Sequence, residues 1–195
     1  VSHPDKVYRD RTVDFFNQHI EAAVQLDCDH MVVSTGFAYL DVDAEDAFGW
    51  CAEAMGRIAR KAEQEGVTLA VEPFTKYTTH ICNEASQLRR LLRTVHSPRL
   101  TGLADTDVIA TTAVDTFSTF LDVIGPENLG HVHFVDGNPG GHLVPGDGNL
   151  DLDGALEKLK AIHYTGALGL EVLDRCYVFA PEAAMKQAMD WYKER

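Results

Sequence analysis

The stretch Leu69-Ala70-Val71-Glu72-Pro73 is a short apolar run that ends in a carboxylate and a proline. A short apolar run bounded by a turn signal is typical of a strand buried on both faces. Three later runs have the same form, at 100–105 (LTGLAD), 130–136 (GHVHFVD) and 168–173 (LGLEVL). Each of the four predicts a buried strand with an acidic or imidazole side chain at or near its carboxyl end.

Helical patterns separate these strands along the chain. Apolar residues near a period of 3.6 predict helices over 12–25, 44–64, 83–95, 113–124, 152–163 and 181–193. The predicted strands are 31–35, 67–72, 100–105, 129–135 and 167–173. Asn83 and Asp151 are the predicted N-caps of the helices that they precede. Five strands, each followed by a helix, predict a parallel α/β sheet.

Two parallel architectures fit this order, an open doubly wound sheet and part of a (β/α)8 barrel. The glycine motifs GxGxxG and GxxxxGK[ST], expected of an open nucleotide-binding sheet, are absent. The ligand-bearing strand ends recur at roughly the 30-residue spacing of barrel units. We therefore predict a TIM barrel of which about five C-terminal βα units are present, with residues 1–195 as a single partial domain. Five strands cannot close a barrel, so we expect a longer protein or another chain over the open edges.

The strand ends supply a candidate metal site. In a barrel, the side chains of Glu72, Asp105, His133 and Glu171 would converge near the axis at the carboxyl ends of the strands. Each alone is more typical of a salt bridge or a helix cap. Four on successive strands favour a shared cation, since buried charges are costly unless they are paired or metal-bound. Three carboxylates and one imidazole suit Mn²⁺, Mg²⁺ or a similar divalent ion.

Two further histidines are candidates for binding substrate. His131 has the same strand parity as His133, so both should point to one face. His142 ends the glycine-rich stretch 136–142, which follows the same strand. Loops at a barrel rim often bind ligands, although proline and glycine also punctuate ordinary surface turns. A structural role in the core remains the alternative for His131.

Composition and charge restrict the function classes. The chain has 195 residues, 45% of them hydrophobic, and a formal net charge of −13. That charge disfavours nucleic acid and anionic membranes as partners. No apolar run reaches the roughly 18 residues of a membrane span, and residues 1–6 lack a signal-peptide pattern. The four cysteines form no CxxC pair, so we expect reduced thiols and a cytoplasmic protein.

Four stretches carry a family resemblance, namely 71–75 (VEPFT), 96–100 (HSPRL), 131–136 (HVHFVD) and 142–148 (HLVPGDG). In order and spacing they resemble the xylose-isomerase-like TIM barrel superfamily, and within it the ketose 3-epimerase group that includes D-tagatose 3-epimerase and fructoselysine 3-epimerase. The resemblance implies a divalent metal, Mn²⁺ first and Mg²⁺, Co²⁺ or Zn²⁺ as alternatives. It places the metal on Glu72, Asp105, His133 and Glu171, with Glu72 and Glu171 as the acid/base pair.

The implied reaction suits these residue types. A proton next to a ketone is weakly acidic, and a metal stabilises the enediolate that forms when a carboxylate removes it. Return of the proton on the opposite face gives 3-epimerisation, whereas transfer between adjacent carbons gives isomerisation. The resemblance thus implies a small-molecule sugar substrate, carbohydrate metabolism and a homo-oligomer. The alternatives are an endonuclease-IV-like metal hydrolase and a non-catalytic barrel fragment.

The chain departs from the tagatose-type pattern at three positions. Val108, Pro139 and Thr78 stand where those enzymes carry a histidine, an arginine and a glutamate. All three positions concern substrate contacts and not the metal set. The resemblance therefore does not imply the free-sugar specificity of that type.

Overall fold

The architecture is an open half-barrel of parallel strands covered by helices, described here for residues 1–195 of a computed structural model. The seven helices are α1 (Lys6–Gln25), α2 (Ala44–Glu65), α3 (Ala85–Val95), α4 (Thr106–Thr112), α5 (Phe117–Ile124), α6 (Leu152–Ala161) and α7 (Pro181–Lys193). The strands are β1 (His30–Ser34), β2 (Thr68–Glu72), β3 (Leu100–Asp105), β4 (Leu129–His133) and β5 (Leu168–Gly169). They form one parallel sheet in the order β1-β2-β3-β4-β5. This sheet confirms the predicted partial barrel.

The core lies between the strands and the helices that cover their outer face. A single cluster of 33 buried residues runs through it, with Leu69 of β2, Met55 of α2, Leu88 of α3 and Phe120 of α5 among its members. Burial of these side chains supplies the main favourable free energy for docking the helices on the sheet. None of the seven helices has both the length and the apolar character that crossing a bilayer requires.

Strand register brings the predicted ligands to one end of the sheet. Asp105 is paired directly with His133, and His133 with Gly169. Glu72 is the last residue of β2 and is paired with Ser34 of β1. Because parallel strands all run in one direction, their carboxyl ends form a single rim, and these side chains lie at that rim.

The segment after β3 differs from the prediction of one helix over 113–124. Helix α4 begins at Thr106, directly after β3, because Asp105 caps it by accepting hydrogen bonds from the amides of Asp107 and Val108. It ends at Thr112, and the next residue, Ala113, has a left-handed φ of 55°. Helix α5 then starts anew at Phe117 behind a capping box. The prediction missed α4 because its seven residues are too few for a periodic pattern.

The last predicted strand, 167–173, was also too long. Only Leu168–Gly169 pairs with β4, and the sheet ends there. The following segment hydrogen-bonds a loop instead, with the amide of Leu173 donating to the carbonyl of His142. Glu171 therefore lies beyond the strand and not within it.

Three helix starts can be compared with the predictions. The side chain of Asp151 caps α6 as predicted. The prediction for Asn83 was wrong, because α3 starts after Glu84 and the side-chain NH₂ group of Asn83 donates to the backbone carbonyl of Thr79. Helix α1 begins six residues earlier than predicted, where Asp5 caps it.

Candidate metal centre

Glu72, Asp105, His133 and Glu171 converge at the rim of the half-barrel. One ligand atom from each lies within 4.8 Å of the corresponding atom of every other. Glu72, Asp105 and His133 are buried, and Glu171 is half-buried. Four side chains from four different segments of the chain thus share one small volume.

The three carboxylates surround one nitrogen of the imidazole. His133 Nδ1 lies 3.0 Å from Glu72 Oε1, 3.3 Å from Glu171 Oε2 and 3.5 Å from Asp105 Oδ2. Ligand atoms about 2.1 Å from a shared ion and at right angles to one another lie about 3 Å apart. The spacing therefore matches a coordination shell for a small divalent cation.

Asp105 provides the clearest indication that a cation fits here. Its Oδ1 accepts the capping hydrogen bonds from the amides of Asp107 and Val108, each 2.8 Å long. Its Oδ2 is buried and accepts no hydrogen bond. The nearest ring nitrogens, of His142 and His133, stand 3.4 and 3.5 Å away. A buried carboxylate oxygen without a donor is costly, and a cation held by this donor set would satisfy it.

The charges of the cluster shift its protonation equilibria. Burial raises the pKa of Glu72 above its ordinary value. Burial alone would lower the pKa of His133, but Asp105, Glu171 and Glu72 outweigh it and raise that pKa to about 11. Contacts with His133 and His142 lower the pKa of Glu171 to about 2. The carboxylates thus create a strongly negative point, which is the electrostatic requirement for holding a divalent ion.

His142, predicted as a substrate contact, also lies against the cluster. Its Nε2 is 3.4 Å from Asp105 Oδ2 and 3.5 Å from Glu171 Oε2. Its Nδ1 is 2.9 Å from Asp107 Oδ2 on the opposite side of the ring. The contacts with Asp105, Asp107 and Glu171 raise the pKa of His142 to about 12.

Sequence reasoning missed Asp107. Its carboxylate is 1% exposed and touches the loop that carries His142. The only available signal was a second aspartate two residues after Asp105, and this is a weak one. The contact depends on a loop 33 to 35 residues further along the chain.

His131 lies beside His133 on the same face of β4, as the strand parity predicts. The ring centroids are 5.3 Å apart and the ring planes are perpendicular. Gly169 leaves space for both rings, since a Cβ there would lie 3.0 Å from His131 Nε2 and 3.3 Å from His133 Cδ2. Burial lowers the pKa of His131, so this imidazole favours its neutral form.

A parallel half-barrel with a carboxylate-rich cluster at its C-terminal rim defines the class of protein. The chain belongs to the xylose isomerase-like TIM barrel family, whose model matches residues 1–195. Fructoselysine 3-epimerase of Shigella flexneri is 26% identical over 191 residues, which cover 97% of this chain and 68% of the relative.

Solved structures show the same fold. The apo form of 3-keto-D-glucoside 4-epimerase from E. coli matches with a TM-score of 0.88 at 19% sequence identity. The match covers 100% of this chain and 74% of the chain of that enzyme. D-psicose 3-epimerase in the presence of D-fructose matches with a TM-score of 0.83 at 23% sequence identity. This match covers 98% of this chain and 72% of the chain of that enzyme. These relatives and neighbours are sugar epimerases, enzymes of the isomerase class.

Proposed function

We propose that this chain acts as a metal-dependent ketose 3-epimerase or isomerase, within residues 1–195 as one partial barrel domain. The observation that carries the proposal is the convergence of Glu72, Asp105, His133 and Glu171 within 4.8 Å. The similarity to fructoselysine 3-epimerase over 97% of the chain supports it independently. Cluster and relative point to the same chemistry.

The four clustered residues would hold a divalent cation, Mn²⁺ first and Mg²⁺, Co²⁺ or Zn²⁺ as alternatives. The buried Asp105 Oδ2, which lacks a hydrogen bond, is the group that most needs it. When bound, the ion supplies stabilisation of the negative charge that develops on a substrate carbonyl oxygen.

Glu72 and Glu171 would form the acid/base pair. Glu72 ends β2 and Glu171 follows β5, a strand that is not a neighbour of β2 in the sheet, and both side chains reach His133 Nδ1. Glu72 is buried, whereas the side chain of Glu171 is 37% exposed and open to an incoming ligand. One carboxylate removes the proton next to the carbonyl and the other returns one to the opposite face, which inverts the stereocentre.

The substrate class would be a ketose or a ketose derivative. His131 and His142 are the proposed substrate contacts, because they stand beside the cluster on β4 and on the loop after it. A homo-oligomeric assembly, a role in carbohydrate metabolism and a cytoplasmic location are further parts of the proposal.

The hydrolase alternative has less support. Several metals on an endonuclease-IV-like scaffold would need further histidine-rich ligand groups, and this cluster is the one group of metal-type side chains in the structure. The net charge of −13 also opposes binding to a phosphate backbone. A barrel that holds metal without turning over substrate is the alternative that the experiment addresses.

The test is exchange of the C3 proton with solvent deuterium, followed by NMR in the presence of Mn²⁺ and after chelation. The panel is D-fructose, D-psicose, D-tagatose, L-ribulose and fructoselysine, which are sugars for which the related enzymes are named or with which they were crystallised. We expect metal-dependent exchange on at least one of them. Metal binding without exchange on any would favour the non-catalytic alternative.

Glu171→Gln is the decisive variant. It keeps the shape of the side chain but removes a base and a metal ligand, so exchange should fall by at least about 100-fold while the fold survives. Glu157→Gln is the matched control, because Glu157 is exposed on α6. Full exchange activity in Glu171→Gln would contradict the assignment of the acid/base pair.

A further inference from the structure

Asp107 is a buried carboxylate that the proposed reaction does not use directly. It is the second residue of α4 and is 1% exposed. Its Oδ1 accepts a hydrogen bond from the amide of Gly140, and its Oδ2 accepts one of 3.0 Å from the amide of His142. It therefore binds the loop that follows β4 at two backbone positions.

The same loop packs against Asp107 at its other end. A Cβ at Gly137 would lie 2.0 Å from Asp107 Oδ1, so only a residue without a side chain fits there. Burying a carboxylate this closely against the loop is costly unless hydrogen-bond donors compensate its charge. The protein donors to this carboxylate come from the loop.

The third contact of Asp107 is with the imidazole of His142. Oδ2 lies 2.9 Å from His142 Nδ1, which is hydrogen-bond distance. The backbone of His142 is fixed as well, with a left-handed φ of 47° and a carbonyl that accepts a hydrogen bond from Leu173. With Nδ1 held by a carboxylate, Nε2 is directed toward Asp105 and Glu171.

We propose that Asp107 is a positioning residue that fixes the imidazole ring of His142, so that Nε2 stands beside Asp105 and Glu171 in position to contact a hydroxyl group of the bound sugar. This inference rests on the proposed function and deepens it, since it names the chemistry by which the substrate is recognised. A carboxylate in contact with one ring nitrogen fixes the orientation of an imidazole and so directs the other nitrogen.

The inference treats His142 as a substrate contact and not as a fifth ligand. The four ligand atoms that share one volume come from Glu72, Asp105, His133 and Glu171, without His142.

Asp107→Asn tests the role of the carboxylate. Asparagine keeps the shape of the side chain, but one of its two ends is an NH₂ group that cannot accept a hydrogen bond, so it cannot hold the amides of Gly140 and His142 and the His142 ring together. On the ketose of the panel that the wild type exchanges fastest, we expect KM to rise at least about tenfold while kcat changes less than about threefold. The Kd for Mn²⁺, measured by calorimetry, should stay within about threefold of wild type, since Asp107 is not in the ligand set.

Asp136→Asn is the matched control. Asp136 is also buried and also holds this loop, by accepting hydrogen bonds from the amides of Gly137, Gly146 and Leu150. It contacts no imidazole. A purely structural role for Asp107 would give both variants the same loss of stability and the same KM, and that result would overturn the inference.

Two further measurements complete the test. Histidine ¹⁵N NMR of the Mg²⁺-loaded protein should show the His142 ring resonances unchanged in Asp136→Asn and shifted in Asp107→Asn. His142→Asn, which tolerates the left-handed backbone, should raise KM about three- to tenfold and weaken Mn²⁺ binding by less than the roughly 100-fold expected for loss of a direct ligand. A larger loss of Mn²⁺ affinity in His142→Asn would make His142 a metal ligand and refute the inference.

Failure of the inference is distinguishable from failure of the proposed function. A wild-type protein that binds Mn²⁺ and exchanges the C3 proton, with variants that leave KM unchanged, overturns the inference alone. A wild-type protein with no exchange on any ketose overturns both.

Discussion

Replacing Asp105 with asparagine separates the two tasks of this side chain. Its Oδ1 caps α4 through two hydrogen bonds of 2.8 Å, and its Oδ2 faces the cluster without a hydrogen bond. An asparagine carbonyl keeps both capping bonds, whereas its NH₂ group replaces the oxygen that would bind the cation. Asp105→Asn should therefore fold normally and lose its response to metal.

The size of that response follows from mass action. A metal at 100 times its Kd stabilises the folded state by about 2.7 kcal/mol, which corresponds to a rise in Tm of roughly 5–11 °C for a domain of this size. Loss of a direct ligand should weaken binding by at least about 100-fold, since outer partners alone cost 10- to 100-fold. At the same metal concentration the variant then gains only about 0.4 kcal/mol, or roughly 1 °C.

The assay is thermal unfolding followed by circular dichroism, with Mn²⁺ and with chelator, for wild type and variant. Asp43→Asn is the control, because Asp43 caps α2 in the same way, from the amides of Glu45 and Asp46, and lies outside the cluster. It should keep the full metal-induced rise. An equal rise in Asp105→Asn would show that the cation does not bind where the four side chains meet, and the proposed site would be wrong.

Two further predictions concern packing and thiol chemistry. Gly130→Ala should destabilise the protein by about 1–3 kcal/mol in urea unfolding, because its Cβ would lie 2.0 Å from Thr101 Oγ1. Gly49→Ala in α2, where a Cβ meets nothing within 4 Å, should stabilise the protein by about 0.5–1 kcal/mol. A lower free energy of unfolding in both variants would contradict this prediction. Burial raises the pKa of Cys51 to about 12, so at pH 8 it holds almost no thiolate and should resist a thiol reagent that labels the exposed Cys28. Labelling of both at equal rates in the folded protein would refute this.

The amino-acid sequence determined the parallel α/β class and the ligand-bearing strand ends. Glu72 and Asp105 end apolar runs, and a charge at that position is informative because it is costly inside a core unless it is paired. Helix α7, at Pro181–Lys193, was predicted with its observed bounds because proline and an acidic residue mark its first turn. These signals are local, and a single sequence displays them.

Only the tertiary structure decided how these groups meet. Strand pairing placed Asp105 opposite His133, and the loop after β4 brought His142 and Asp107 together from positions 35 residues apart. The short α4 and the early end of β5 were invisible for the same reason, since capping by Asp105 and pairing at the sheet edge decide them more than periodicity does. Contacts between distant residues depend on register and loop path, and no local pattern specifies either of these.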